Sequence, residues 1–126
     1  MYTCQKADEY IEKNRVDRAD KPEFHLTTPV GWLNDPNGFS IYGGKAHLFY
    51  QFHPYSTEWG PMHWGHSTSD DFIRWEELPT ALAPDSDYDA FGCFSGTAIE
   101  NDGKHVLFYT GAVSYTHLRA HETLSD

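Results

Sequence analysis

Residues 25–38 read His-Leu-Thr-Thr-Pro-Val-Gly-Trp-Leu-Asn-Asp-Pro-Asn-Gly, and the reading of this stretch decides both fold and function. Its last five residues, Asn34 to Gly38, set one carboxylate among two amides, a proline and a glycine. Pro36 fixes its own φ and biases Asp35 towards extended backbone, while Asn37-Gly38 tolerates the positive φ of a tight turn. Asp35 is thereby held at a defined angle. A catalytic carboxylate needs such a mount, because about 1 Å of misplacement costs on the order of a hundredfold in rate. Taken alone, the same five residues also suit an Asx turn between two strands.

Working outward, the chain changes character on either side of this stretch. Residues 3–18 are rich in helix formers, with Ala7, Tyr10 and Ile11 spaced i, i+3, i+4, which predicts one short amphipathic helix that Pro22 ends. Residues 19–31 read as an extended lead-in. After Gly38 come short strands broken by turn residues: Phe39 to Tyr42 and Ala46 to Phe52 around Gly43-Gly44, then Met62 to Ser69 and Ile73 to Glu77 around Ser69-Asp70-Asp71. A third hairpin pairs Gly92 to Ile99 with His105 to Ala112 around Asn101-Asp102-Gly103-Lys104. Strands that recur without helices between them predict an all-β fold, and pattern alone leaves sandwich, barrel and propeller open.

Composition narrows the function classes. The 126 residues are 39% hydrophobic and 16% aromatic, enough for a modest core, and aromatic rings suit sugar rings as well as cores. A net charge of −10 argues against nucleic acid and against an anionic membrane surface as partners. No apolar run is long enough to span a bilayer, and residues 1–18 do not read as a secretory signal, so cytoplasmic residence is expected. Cys4 and Cys93 stand alone, in neither a CxxC nor a zinc spacing, and no disulfide scaffold is expected. His63 and His66 have no third ligand at a suitable interval, so no metal and no cofactor is expected.

Further along, Phe49-Tyr50-Gln51, Glu58-Trp59-Gly60, His63-Trp64-Gly65-His66, Phe94-Ser95-Gly96-Thr97 and Phe108-Tyr109-Thr110-Gly111 follow His25 and the Asn34–Gly38 string. In that order, between residues 22 and 112, they resemble glycoside hydrolase family 32, the invertases, sucrose-6-phosphate hydrolases and fructanases. The resemblance implies the first about two blades of a five-bladed β-propeller, preceded by a short N-terminal helix. It implies retaining hydrolysis of terminal β-D-fructofuranosides such as sucrose, sucrose-6-phosphate or fructan. By motif position it makes Asp35 the nucleophile and Asn34, Pro36, Asn37, Gln51, Trp59, Phe94 and Ser95 substrate-binding. The bland alternatives are a solvated or core-edge residue for Gln51, loop packing for Trp59 and blade packing for Trp64 and His66. Ser95 itself is no nucleophile, since no G-x-S-x-G elbow surrounds it.

Retention requires a second carboxyl about 5 to 5.5 Å from the first to protonate the leaving oxygen. In the family that group lies in a Glu-Cys motif, and a further Asp in an Arg-Asp-Pro motif holds the fructosyl hydroxyls; neither string occurs here. The chain by itself is therefore expected to be inactive. The alternative from another class is a non-catalytic, carbohydrate-binding propeller module. Residues 113–126 match no motif of the family and resemble translated sequencing-adapter sequence. The expected organisation is a helical leader over 1–21, a partial propeller over 22–112, and a non-native or disordered tail over 113–126.

Overall fold

The computed structural model describes residues 1–114 and 117–125. Thr3 caps the first helix, α1 (Cys4–Asn14), by accepting the Lys6 amide, and Ala7 and Ile11 are the buried face that the i, i+4 spacing predicts. The helix is shorter than expected. It stops at Arg15, whose backbone is already extended, and Asp17 starts a separate 3-10 turn, Arg18–Asp20, which is the element that ends just before Pro22. Residues 19–31 then lead to the strands.

Seven strands occupy the rest of the described chain: β1 (Trp32–Tyr42), β2 (Lys45–His53), β3 (His63–Ser69), β4 (Glu76–Leu82), β5 (Gly92–Asn101), β6 (Lys104–Ser114) and β7 (His117–Ser125). They form two antiparallel meanders, β1-β2-β3-β4 and β5-β6-β7, two successive blades of a propeller. The first and third predicted hairpins are present, whereas the second returns along Glu76–Leu82 and not along Ile73 to Glu77, so that residues 70–75 form the connection. Gly43 and Gly44, at φ 59° and 76°, turn β1 into β2, and Asp102 and Gly103, at 51° and 74°, turn β5 into β6. Both pairs have the positive φ that a two-residue primed turn demands.

The strand β2 shows how the sheets stack. Its Tyr50 and Phe52 meet Ile11 of α1 with Leu26 and Val30, while Phe49 faces the other way, into a cluster with Trp64, Cys93, Ala98, Leu107 and Tyr109 that joins the two sheets. Strand alternation puts these neighbouring side chains on opposite faces of β2. On the outer side, Asp8 accepts the Thr80 amide at 2.8 Å and Arg15 pairs with Glu77, so α1 is tied to β4. No helix among the described residues is long and apolar enough to cross a membrane.

Residues 113–126 were expected to stand outside the fold, and here the structure differs. β6 runs to Ser114 and β7 pairs with it from His105–Ser125 to Ser114–His117. Strand pairing uses the backbone, and the open edge of β6 offers unpaired N–H and C=O groups to any segment that can extend along it. That requirement leaves no motif in the sequence to find.

Candidate functional site

The Asn34–Gly38 string does not form a turn. It lies inside β1, an edge strand, where a proline lacking an N–H can be accommodated. The irregular composition appears instead as two bulges. Between the Leu33–Phe52 and Pro36–Tyr50 partners, Asn34 and Asp35 together face Gln51; between Asn37–Phe49 and Ser40–His47, Gly38 and Phe39 face Leu48. Gly38 has φ 56°, the left-handed geometry that opens a glycine bulge, and a Cβ there would press into the Phe49 ring.

The adjoining blade answers with a bulge of its own. Phe94 pairs with Thr110 and Gly96 with Tyr109, which leaves Ser95 as the extra residue of β5. A bulge re-aims the side chain it carries. The two are turned towards each other, and Ser95 Oγ donates to Asp35 Oδ2 at 3.4 Å across the gap between blades.

Around this pair lies an open cleft of about 360 Å³, lined by Asn34, Asp35, Gln51, Trp59, Phe94, Ser95, Thr110 and Leu118. Six of the eight residues nominated from sequence thus line one cavity. Asn34 Oδ1 accepts the Trp32 indole N–H at 2.7 Å, which fixes its amide. Gln51 is buried and donates from Nε2 to the Cys93 carbonyl at 2.9 Å. Trp59, 45% exposed, and Phe94 form a wall with Phe91, their ring centroids 6.0 to 6.4 Å apart. The Trp64 indole donates to the Phe94 carbonyl at 3.0 Å from beneath. Such edge and tilted contacts between rings contribute about 0.5 to 1.5 kcal/mol each beyond area burial, which stiffens the wall.

Pro36 and Asn37 do not line the cleft. Pro36 is exposed beside it, and Asn37 is buried, with Oδ1 accepting the Gly96 amide at 3.4 Å and Nδ2 without a partner among the described residues. Thr110 and Leu118 line it without having been nominated. Thr110 sat inside a motif already singled out, whereas Leu118 comes from β7 and carried no signal. His63 and His66, three apart on a strand, point to opposite faces: the ring of His63 meets Tyr2 and Tyr55, and that of His66 stacks on Phe49. They cannot share one ion. Among the cleft-lining residues Asp35 is the one carboxylate, beside amides, hydroxyls and aromatic faces that suit a neutral polyol.

Comparison with known proteins agrees with this arrangement. The glycosyl hydrolases family 32 N-terminal domain matches residues 25–124, a span that runs past residue 112. Sucrose-6-phosphate hydrolase of Zymomonas mobilis is 53% identical over 92 residues, 73% of this chain and 18% of its own length. Raffinose invertase of Escherichia coli is 52% identical over 109 residues, 85% of this chain and 23% of its own. A variant of the beta-fructofuranosidase of Bombyx mori, solved in complex with sucrose, superposes with TM-score 0.82 at 45% identity, over 95% of this chain and 26% of that one. The chain thus spans about a fifth of the length of the curated relatives it matches.

Proposed function

The chain belongs to glycosyl hydrolases family 32 through its N-terminal domain, and on that premise we propose that the full-length protein hydrolyses terminal β-D-fructofuranosides with retention, using Asp35 as nucleophile. The observation that carries this reading is the pair of facing bulges, which aims one carboxylate and one hydroxyl into a cleft walled by Trp59 and Phe94. In the proposed reaction an Asp35 oxygen attacks the anomeric carbon of the fructosyl unit, the bond to the leaving oxygen breaks, and a general acid protonates that oxygen. Water then cleaves the fructosyl ester. Gln51 and Ser95 hold fructosyl hydroxyls, and Trp59 covers an apolar face of the sugar.

No second carboxylate lines the cleft among the described residues, which supports a general acid supplied in the full-length protein from outside this chain. The same observation favours the second reading, a sugar-binding propeller without turnover. Sucrose and sucrose-6-phosphate are the proposed substrates, supported by the names of the relatives and by the sucrose bound to the Bombyx mori enzyme. The cleft lining holds no Lys or Arg, so a 6-phosphate would be recognised by groups outside it. Two free thiols, Cys4 and Cys93, support a reducing compartment such as the cytoplasm.

The test is Asp35→Asn in the full-length protein, assayed by fructose release from sucrose. Loss of a nucleophile of this kind removes on the order of 10⁴ to 10⁶ in kcat, while the nearly isosteric amide keeps sugar affinity. Activity within tenfold of wild type would remove Asp35 from the role. A wild type that binds fructose and turns over nothing would establish the binding module.

A further inference from the structure

One ionisable group has no part in the chemistry above and is almost entirely buried. Asp89, 1% exposed, lies in the loop that precedes β5. Its Oδ1 accepts the Ser86 amide at 2.9 Å. Oδ2 accepts the Tyr109 hydroxyl at 2.7 Å and the Cys93 thiol at 3.6 Å. None of the ion pairs among the described residues includes it. A carboxylate buried without a cation is tolerated only where donors replace its water, and here they come from the preceding loop, from β5 and from β6.

Those donors stay protonated. Burial, and then the neighbouring Asp89, push the Cys93 thiol and the Tyr109 phenol well above their ordinary ranges. The loop from Ser86 is closed by the Gly92 amide, which donates to the Asp89 carbonyl at 2.8 Å. Cys93 is then pinned on three sides. Its thiol meets Asp89, its amide donates to Met62 at 2.8 Å, and its carbonyl receives the Gln51 side chain. The next carbonyl, that of Phe94, receives the Trp64 indole.

We propose that Asp89 is a positioning residue of the cleft: from the buried side of β5 it holds the Cys93–Phe94 peptides in the orientation to which Gln51 and Trp64 donate, and so sets the Gln51 amide and the Phe94 wall against the sugar. The proposal rests on the reading of that cleft as a sugar site. A change at Asp89 touches nothing that a sugar would touch, and reaches the site through Cys93 and through Tyr109, whose ring meets that of Trp64. A purely structural carboxylate would lower stability and leave the cleft of the folded molecules as it was.

The experiment uses the full-length protein labelled with ¹⁵N-tryptophan, in which the Trp64 indole resonance, assigned with Trp64→Phe, reports the bond to Phe94. D-fructose is the probe for affinity. Asp89→Asn is expected to move the Trp64 resonance while those of Trp32 and Trp75 stay in place, and to weaken fructose binding about tenfold per folded molecule. Tyr109→Phe, which removes one donor and keeps the ring, is expected to move the same resonance in the same direction by less, and serves if Asp89→Asn does not fold. An unmoved Trp64 resonance with unchanged fructose affinity in a folded variant overturns the proposal. A wild type without affinity for fructose, in which the resonance still moves, counts against the sugar site and leaves the coupling of Asp89 to Phe94 standing.

Discussion

Gln51 and Trp59 face the same cleft from opposite extremes of burial, 3% and 45% exposed, so their removal has different consequences. Trp59→Ala takes away a face that packs on Phe91 and Phe94 at the rim. Its expected effect is a loss of about 1 to 3 kcal/mol in kcat/KM towards sucrose, with Tm within about 2 °C of wild type. Gln51→Ala leaves the buried Cys93 carbonyl without its donor, which costs about 1 to 3 kcal/mol of stability in addition to the loss in kcat/KM. Thermal melts and initial rates on the full-length protein separate the two cases. A Trp59 variant that melts early and keeps its kinetics per folded molecule would make that ring a packing residue. The sequence could name Gln51 as a polar side chain on a strand. That its amide is bound to the next blade depended on where Cys93 lies.

The strands β1, β2, β3 and β6 meet in a cluster of three imidazoles that no single element contains. His47 Nε2 lies 3.0 Å from the Tyr42 carbonyl and so carries the proton, which leaves His47 Nδ1 to accept from His66 Nε2 at 2.9 Å. Ser40 donates to the Gly38 carbonyl at 3.0 Å and receives His105 Nε2 at 2.8 Å. Tyr42 stacks on His105 with centroids 4.6 Å apart, and His66 lies on Phe49 at 4.1 Å. Burial, followed by the neighbouring His47 and His105, lowers the pKa of His66 to about 3 from an ordinary 6.5, and burial followed by His47 lowers that of His105. A base whose pKa falls on folding binds fewer protons when native. Its contribution is complete above about pH 6.5 and is lost as pH drops towards 3. At pH 5 the His66 share of that loss is about 2 kcal/mol, which is expected to lower the Tm of the full-length protein by roughly 2 to 4 °C relative to pH 7. Melting curves of wild type and His66→Asn across pH 7 to 4.5 check this. The variant should start lower and fall less steeply, and equal slopes would refute the assignment to His66.

At the scale of the whole molecule, the two blades leave two kinds of surface uncovered. The second blade exposes Ile99 at 56%, Phe108 at 41% and Leu118 at 55%, and β4 and β7 end their sheets as open edges. Exposed apolar faces and unpaired strand edges favour association. Expressed as the 126 residues written, the chain is expected to elute from size exclusion as larger species, and to release no fructose from sucrose or sucrose-6-phosphate. If the general acid lies outside these residues, as proposed, its absence alone removes on the order of 10² to 10⁴ in rate. A soluble monomer with turnover in the usual range of roughly 1 to 10³ per second would place the second carboxylate within these residues.

The sequence by itself determined the β1–β2 and β5–β6 hairpins, because glycines at 43, 44 and 103 and the alternation from His47 to Phe52 are local properties of the chain. It also determined which residues to suspect, through motifs whose order is visible without any coordinate. Only the tertiary structure decided that Asn34–Gly38 is a doubly bulged edge strand and not a turn, since a bulge is defined by the residue count of the opposite strand, and β2 had to be in register before the extra residue existed. It likewise decided that Ser95 faces Asp35, that Asn37 is buried beneath the site and that β7 supplies Leu118. Each of these depends on contacts between residues far apart in sequence, set by how one blade packs on the next, and no local pattern encodes that packing.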